Sequence, residues 1–198
     1  DFACDVRANE EGPMATVGLI LIVVALVGAV LIYNGLVSLR NQVQNGWKQI
    51  DVQLKRRHDL IPNLVETVKG VMQYERDTLE SVMEARARAV AASGVRDSAT
   101  AENALSQSLG RLLAVMENYP ALKADENALK LQEELTTTEN QLAFARQFYN
   151  DTVMQFNTRQ EVFPASVIAN FFAFKPAEYF TAADEERGTP RVDLSLQK

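Results

Sequence analysis

The sequence predicts an all-α protein: an N-terminal transmembrane helix continuous with an up-down-up-down four-helix bundle. Three observations point there. The six prolines, Pro13, Pro62, Pro120, Pro164, Pro176 and Pro190, leave long intervals free of helix breakers. Apolar residues recur at steps of three and four through most of the chain. One stretch, Ala15–Ile32, is apolar and uncharged throughout.

Residues 1–13, DFACDVRANEEGP, carry four acids and one Arg ahead of Met14. Two origins account for them: translated upstream sequence or a tag, and a short extracytoplasmic tail. Neither gives them a part in the fold. Ala15–Ile32 has 18 uncharged residues, about 27 Å of helix. Tyr33 suits the membrane interface. A cleaved signal peptide would need a basic start, a shorter apolar core and a small-x-small exit, and Leu31-Ile32-Tyr33 supplies none. The span is therefore an uncleaved anchor, placed at 14–33. Arg7 alone precedes it, whereas Arg40, Lys48, Lys55, Arg56 and Arg57 follow. The positive-inside rule then puts the N-terminus outside and the bundle in the cytoplasm.

The bundle, with a short C-terminal aromatic segment, is placed at 34–180. Its first stripe is Leu36, Leu39 (or Arg40), Val43, Trp47, Ile50 and Leu54, on one helix that continues the span to Arg57. A turn is expected at His58–Pro62, with Asp59 capping a second helix and Pro62 in its first turn. That helix carries Ile61, Leu64, Val65, Val68, Met72, Leu79, Val82, Met83 and Ala89, and stops at Ser93-Gly94. The next residues, VRDSAT, read as a loop. A third stripe runs over Ala101–Tyr119 until Pro120 ends it. Asp125 opens the longest: Ala128, Leu131, Leu135, Thr138, Leu142, Ala145, Tyr149, Val153, Phe156 and Phe163, stopped by Pro164. A short helix and an aromatic cluster follow to Phe180, and 181–198 reads as a disordered tail. In this topology Lys55–Pro62 is membrane-distal and the C-terminal aromatics return to the membrane side.

Composition narrows the function. The net charge of −6 argues against a general nucleic-acid binder. A single cysteine, Cys4, excludes a disulfide framework and a Cys-based zinc site, and a single histidine, His58, excludes a multi-His metal site. No cofactor is implied. Lys55, Arg56, Arg57, His58 and Asp59 form either a solvated helix end or a partner-binding tip. As a catalytic base His58 would need an orienting carboxylate and a nucleophile, and adjacent Asp59 lies on the wrong face. Glu133, Glu134 and Glu139 read as a wet face. Asn63, Thr67, Tyr149, Asn150 and Asn157 read as groups that satisfy one another or cap ends. Phe171, Phe172, Phe174, Tyr179 and Phe180 either close the bundle or dip into the bilayer interface.

Two long blocks carry a family resemblance. One is YNGLVSLRN…NGWKQIDVQLKRRHDLIPNLVETVKG, at Tyr33–Gly70; the other is ARQFYNDTVMQFN at Ala145–Asn157, followed by FPASVIANFFAFKPAEYF at Phe163–Phe180. Together they resemble the LemA proteins, bacterial membrane-anchored helical bundles, over nearly all of Met14–Phe180. Gly46 stands where Ala is common, and Thr181 where an acid often follows. The resemblance implies a single-pass inner-membrane protein without family catalytic residues. Relatives are commonly encoded near a membrane metalloprotease of the stress-response type or near TPM-domain proteins. One takes part in building the magnetosome, and some resemble lipoproteins, which would put their domain outside the cytoplasm. The resulting expectation is a non-enzymatic scaffold or adaptor for membrane-protein quality control or stress response. Its partners would be the lipid bilayer, other membrane proteins such as that metalloprotease or a TPM-domain protein, and copies of itself. The rival is a membrane-shaping protein.

Overall fold

The computed structural model describes residues 11–181, with side chains from Thr16 onward. The expectations for residues 1–10 and 182–198 lie outside the described residues. Among those described, the secondary structure is helical without strands: α1 Glu11–Lys69, α2 Arg76–Ala91, α3 Val95–Met116, the single turn α4 Pro120–Lys123, α5 Glu126–Glu161 and α6 Ala165–Phe171. The chain divides into two compact units. One holds the chain up to Asn45 with Asp151–Ala177, the other Gly46–Asn150 with the segment from Glu178.

The first unit contains the apolar stretch, whose side chains from Val17 to Leu31 are largely exposed. A helix apolar on every side has no wet face to offer water and fits a single-pass membrane anchor. Beyond the stretch the unit has a small core of Leu36, Val43, Val153, Phe156, Ala165 and Ala169. Phe163, expected on the α5 seam, is instead 79 % exposed, because α5 ends at Glu161 and the chain turns there.

The second unit is built on a continuous apolar core drawn from α1, α2, α3, α4 and α5. Ile61, Leu64, Val68 and Met72 meet Val82 and Ala85, Leu105 and Leu112, Leu122 and Leu135. The sequence stripes supply nearly all of these side chains. The helix boundaries differ from expectation in three places, each for a local reason.

The expected turn at His58–Pro62 is absent, and α1 runs through Pro62 to Lys69. An interior proline removes the N–H that would bond the carbonyl four residues back, at a cost of about 3 kcal/mol. That carbonyl belongs to His58, and Arg86 of α2 supplies the missing donor, with Nε 2.6 Å from His58 O. The helix keeps its course because a neighbouring guanidinium completes its hydrogen bonding.

The actual turn lies at Gly70–Glu75. Met72 is fully buried within it and takes a backbone bond from its own N–H to Val68 O at 2.9 Å. The VRDSAT segment is helical, since α3 starts at Val95 after Gly94 with φ +85°, and Ser98 and Ala99 are buried. Pro120 closes the third stripe as expected, but it also opens α4. The longest stripe opens at Asp125 as expected, and the structure adds that its carboxylate caps α5, accepting from the Ala128 N–H at 2.9 Å.

Candidate functional site

Charged residues rarely sit inside a helical core unless paired, and this one buries a set of them. Arg57 on α1 is 3 % exposed and Glu102 on α3 is 1 % exposed. Arg57 Nη1 donates to Glu102 Oε2 at 2.9 Å, and Arg57 Nη2 donates to Ser106 Oγ at 2.8 Å. Arg57 Nη2 also stands 3.1 Å from Glu139 Oε2 on α5. His58 Nε2 lies 2.6 Å from the second Glu102 oxygen, Oε1. Arg146 on α5 reaches Glu139 Oε1 at 3.9 Å. Two guanidiniums thus face two carboxylates, with an imidazole and a hydroxyl completing the set.

Arg146 shows what burial does in this place. Its Nε and Nη2 are buried with no hydrogen-bond acceptor among the described residues. The guanidinium lies over the ring of Phe180 at 5.0 Å, so the ring's negative face takes the place of an acceptor. Desolvation, the largest cause, pulls its pKa below the ordinary arginine value; Glu139 opposes this and Arg57 adds to it. No donor reaches the buried Gln53 Oε1 among the described residues.

Of the five residues expected to form a helix tip, Lys55, Arg56 and Asp59 are exposed. Arg57 and His58 do not belong to a free end: they face inward, in mid-helix, because α1 continues past them. The carboxylate that His58 lacked in sequence is Glu102. The neighbouring hydroxyl, Ser106 Oγ, accepts from Arg57, so the set is a mutually bonded network that holds α1, α3 and α5 together. Glu139, expected on a wet face, contacts Arg57. The sequence did carry a signal for this. Arg57 falls in the apolar register Ile50, Leu54, Arg57, Ile61, and Glu102 in the register Glu102, Leu105, Leu109, Leu112. Opposite charges on two core-facing stripes mark a buried pair.

A second polar arrangement holds the chain after α6. In the first unit Asn157 makes two bonds with Ala177: Nδ2 donates to Ala177 O at 3.0 Å, and Oδ1 accepts from Ala177 N at 2.9 Å. In the second unit Asn150 does the same with Phe180, at 3.0 and 2.9 Å. Tyr149 Oη donates to Glu178 O at 2.8 Å. Its phenol pKa is raised, chiefly by burial and then by the Glu178 charge. These groups satisfy the backbone after α6 rather than one another, whereas Thr67 bonds its own helix, its hydroxyl donating to Asn63 O at 2.8 Å.

The five C-terminal aromatics separate. Phe171 is 81 % exposed, and Phe172 and Tyr179 are exposed. Phe174 is half-buried against Phe156 and Tyr33. Phe180 offers nothing to a bilayer, because it is buried against Trp47 with ring centroids 6.0 Å apart.

The sequence is similar to known proteins over most of its length. Two magnetosome proteins are similar over 222 residues, 96 % of this chain and 82 % of their own length. They are Magnetosome protein MamQ 2 of Paramagnetospirillum magneticum, 25 % identical, and Magnetosome protein MamQ of Magnetospirillum gryphiswaldense, 22 % identical. Protein LemA of Metamycoplasma hominis is 24 % identical over 158 residues, 78 % of this chain and 71 % of its own length. The family model of the LemA family matches residues 46–194, which takes in both asparagine clamps and the whole charge network, and this chain belongs to that family.

Proposed function

We propose that this protein is a membrane-anchored scaffold or adaptor whose second unit, an up-down four-helix bundle, presents a protein-interaction surface. One observation carries it. On the second unit, α1 and α5 leave an open groove of about 610 Å³ lined by Lys48, Gln49, Val52, Gln141, Phe144 and Phe148. Phe144 is 72 % exposed and Val52 is exposed beside it. Lys55 and Arg56 continue the exposed side of α1, so the surface suits a helix with apolar anchors and an acidic flank. The buried charge network keeps the helices that shape it in place. A link to membrane-protein quality control follows from family association alone. The basic residues after the apolar stretch support a cytoplasmic bundle.

A photocrosslinking amino acid at Val52 or Phe144, used in native membranes, tests this. Discrete protein adducts that disappear on Phe144→Ser are the expected outcome; their absence at both positions sinks the scaffold. A second function, membrane organisation, is favoured by the likeness to magnetosome proteins and by the outward apolar residues of α6. Purified protein that reshapes liposomes without a partner would put it first. Cysteine accessibility on each side of the membrane reads the orientation.

A further inference from the structure

The first unit carries a cationic pocket at the end of its apolar stretch. Tyr33 directly follows that stretch. Its ring packs on Phe172 and Phe174, with centroids 4.6 and 5.9 Å apart. The chain reaches this position through the turn that ends α6. Ala173 adopts φ 53°, its N–H bonds Asn170 O at 3.1 Å, and the Phe174 N–H bonds Ala169 O at 2.9 Å. This paired helix stop folds the backbone between the two phenylalanines, so both meet one tyrosine.

Beside these rings opens a pocket of about 440 Å³, lined by Tyr33, Arg40, Gln44, Phe172, Phe174 and Lys175 among others. Its lining holds two cations and no carboxylate. Neither Arg40 nor Lys175 has a carboxylate partner at ion-pair distance among the described residues. The Arg40 guanidinium lies over the Phe174 ring at 5.5 Å. Arg40 stands seven residues beyond Tyr33, two turns on and about 10 Å along the same helix face. A tyrosine at headgroup level, with a long basic side chain above it that can reach down, is the usual arrangement at a membrane interface.

The outer face of α6 continues this chemistry. Its small residues, Ala165 and Ala169, point inward and are buried. The large apolar side chains Val167 and Phe171 on α6 are exposed, as is Phe163 in the turn just before it. A water-facing helix would place these the other way round.

We propose that this pocket holds the phosphate of an anionic phospholipid, with Arg40 and Lys175 as its cations and the outer face of α6 in the bilayer interface. The inference rests on the apolar stretch crossing a membrane. Arg40 is the residue type suited to a phosphate, since its planar fork gives paired N–H donors. The aromatic walls favour a lipid ester over free phosphate, because they offer the glycerol and upper acyl chain an apolar surface. The absence of a carboxylate in the lining favours an anionic headgroup over a zwitterionic one, whose cation would find no partner.

The test uses the full chain in mild detergent, incubated with equal amounts of phosphatidylglycerol and phosphatidylcholine. Native mass spectrometry counts the retained lipid. Preferential retention of phosphatidylglycerol is expected, falling about fivefold for each cation removed in Arg40→Gln and Lys175→Gln. Arg40→Lys keeps the charge but loses the planar fork, so its retention should fall less than that of Arg40→Gln. Both side chains are exposed, so thermal melts of the variants should match the parent and report an intact fold. Equal retention of the two lipids, or unchanged retention in the double variant, overturns the proposal. Displacement of phosphatidylglycerol by excess inorganic phosphate also overturns it, since the site would then take a free anion. Alkaline extraction of membranes reads the anchor separately. Release of the protein there overturns the membrane span, whatever the lipid count shows.

Discussion

The Arg57–Glu102 network and the asparagine clamps bury polar groups by opposite chemistry. The network brings ionised side chains from α1, α3 and α5 into one place and neutralises them against each other. The clamps set a neutral amide against a peptide, donor to acceptor and acceptor to donor. Ionised groups cost much to desolvate and leave a large penalty when one partner is lost. An amide costs less and matches any backbone, so it acts as a neighbouring strand would for an extended segment that has none. The network therefore depends on side chains far apart in sequence, while each clamp depends on one residue of α5.

Removing Glu102 should break this comparison most visibly. Glu102→Ala leaves the buried Arg57 without its main counter-charge, and a loss of about 3–5 kcal/mol is expected in denaturant titration. Replacing both partners, Arg57→Met with Glu102→Leu, should recover most of that loss, because apolar pairs of similar volume fill such sites well. If the double variant is as unstable as the single one, the network contributes more than mutual neutralisation.

Arg86 tests a charge used on the backbone. Arg86→Ala should cost about 1.5–3 kcal/mol, the range for a hydrogen bond to a charged group. With Pro62→Ala the helix regains its own N–H, and the same substitution should then cost much less. Equal costs in both backgrounds would dissociate Arg86 from the proline.

On the amide side, Asn157→Ala and Asn150→Ala each remove two bonds. A loss of about 1–3 kcal/mol is expected for each. Protease cleavage near Ala177 or Phe180 should rise in the corresponding variant. Unchanged cleavage would mean that aromatic packing alone holds the segment.

Most of the helical content and core was legible in the sequence, because the apolar stripes are long and their period is unambiguous. Ile50, Leu54, Leu64, Val68, Leu105, Leu112 and Leu142 all occupy the interior that their spacing predicts. What failed was local punctuation. Pro62 reads as a break from its own chemistry, and only a donor 24 residues later in the chain, Arg86, cancels it. That one misplacement put Arg57 and His58 on a free end and hid the buried network. The asparagines were legible as structural residues, but their partners were not, because backbone acceptors leave no mark in sequence. Phe180 and Phe171 look equivalent in the chain, and only tertiary packing separates them.

Tyr149 joins the two chemistries, since its neutral hydroxyl becomes a charge in alkali. Its folded pKa is raised above the ordinary value of about 10. The unfolded chain therefore loses this proton at a lower pH than the folded one. The contribution of Tyr149 is fully present below the unfolded pKa and is lost as pH rises through the folded pKa. A phenolate also cannot donate to Glu178 O. Tyr149→Phe should cost about 1 kcal/mol at neutral pH and flatten the alkaline limb of a stability profile. An identical limb in the variant would assign it to other groups.

The smallest effect is expected beside that tyrosine. Gly46 is buried on α1, and a Cβ placed there would stand 3.4 Å from both Cα and Cδ2 of Tyr149 and 3.6 Å from Phe148 Cδ1. Those are ordinary contact distances, so the glycine is not required by a close approach of backbones. In mid-helix it carries a penalty of about 1 kcal/mol relative to alanine. Gly46→Ala should therefore stabilise the protein by about 0.5–1 kcal/mol, seen as a higher denaturation midpoint at unchanged slope. It should also lower protease cleavage near Phe180, because Tyr149 would be better packed beneath its bond to Glu178. A destabilised Gly46→Ala variant would mean that the helices tolerate no added methyl, and that the clamp at Asn150 depends on their present separation.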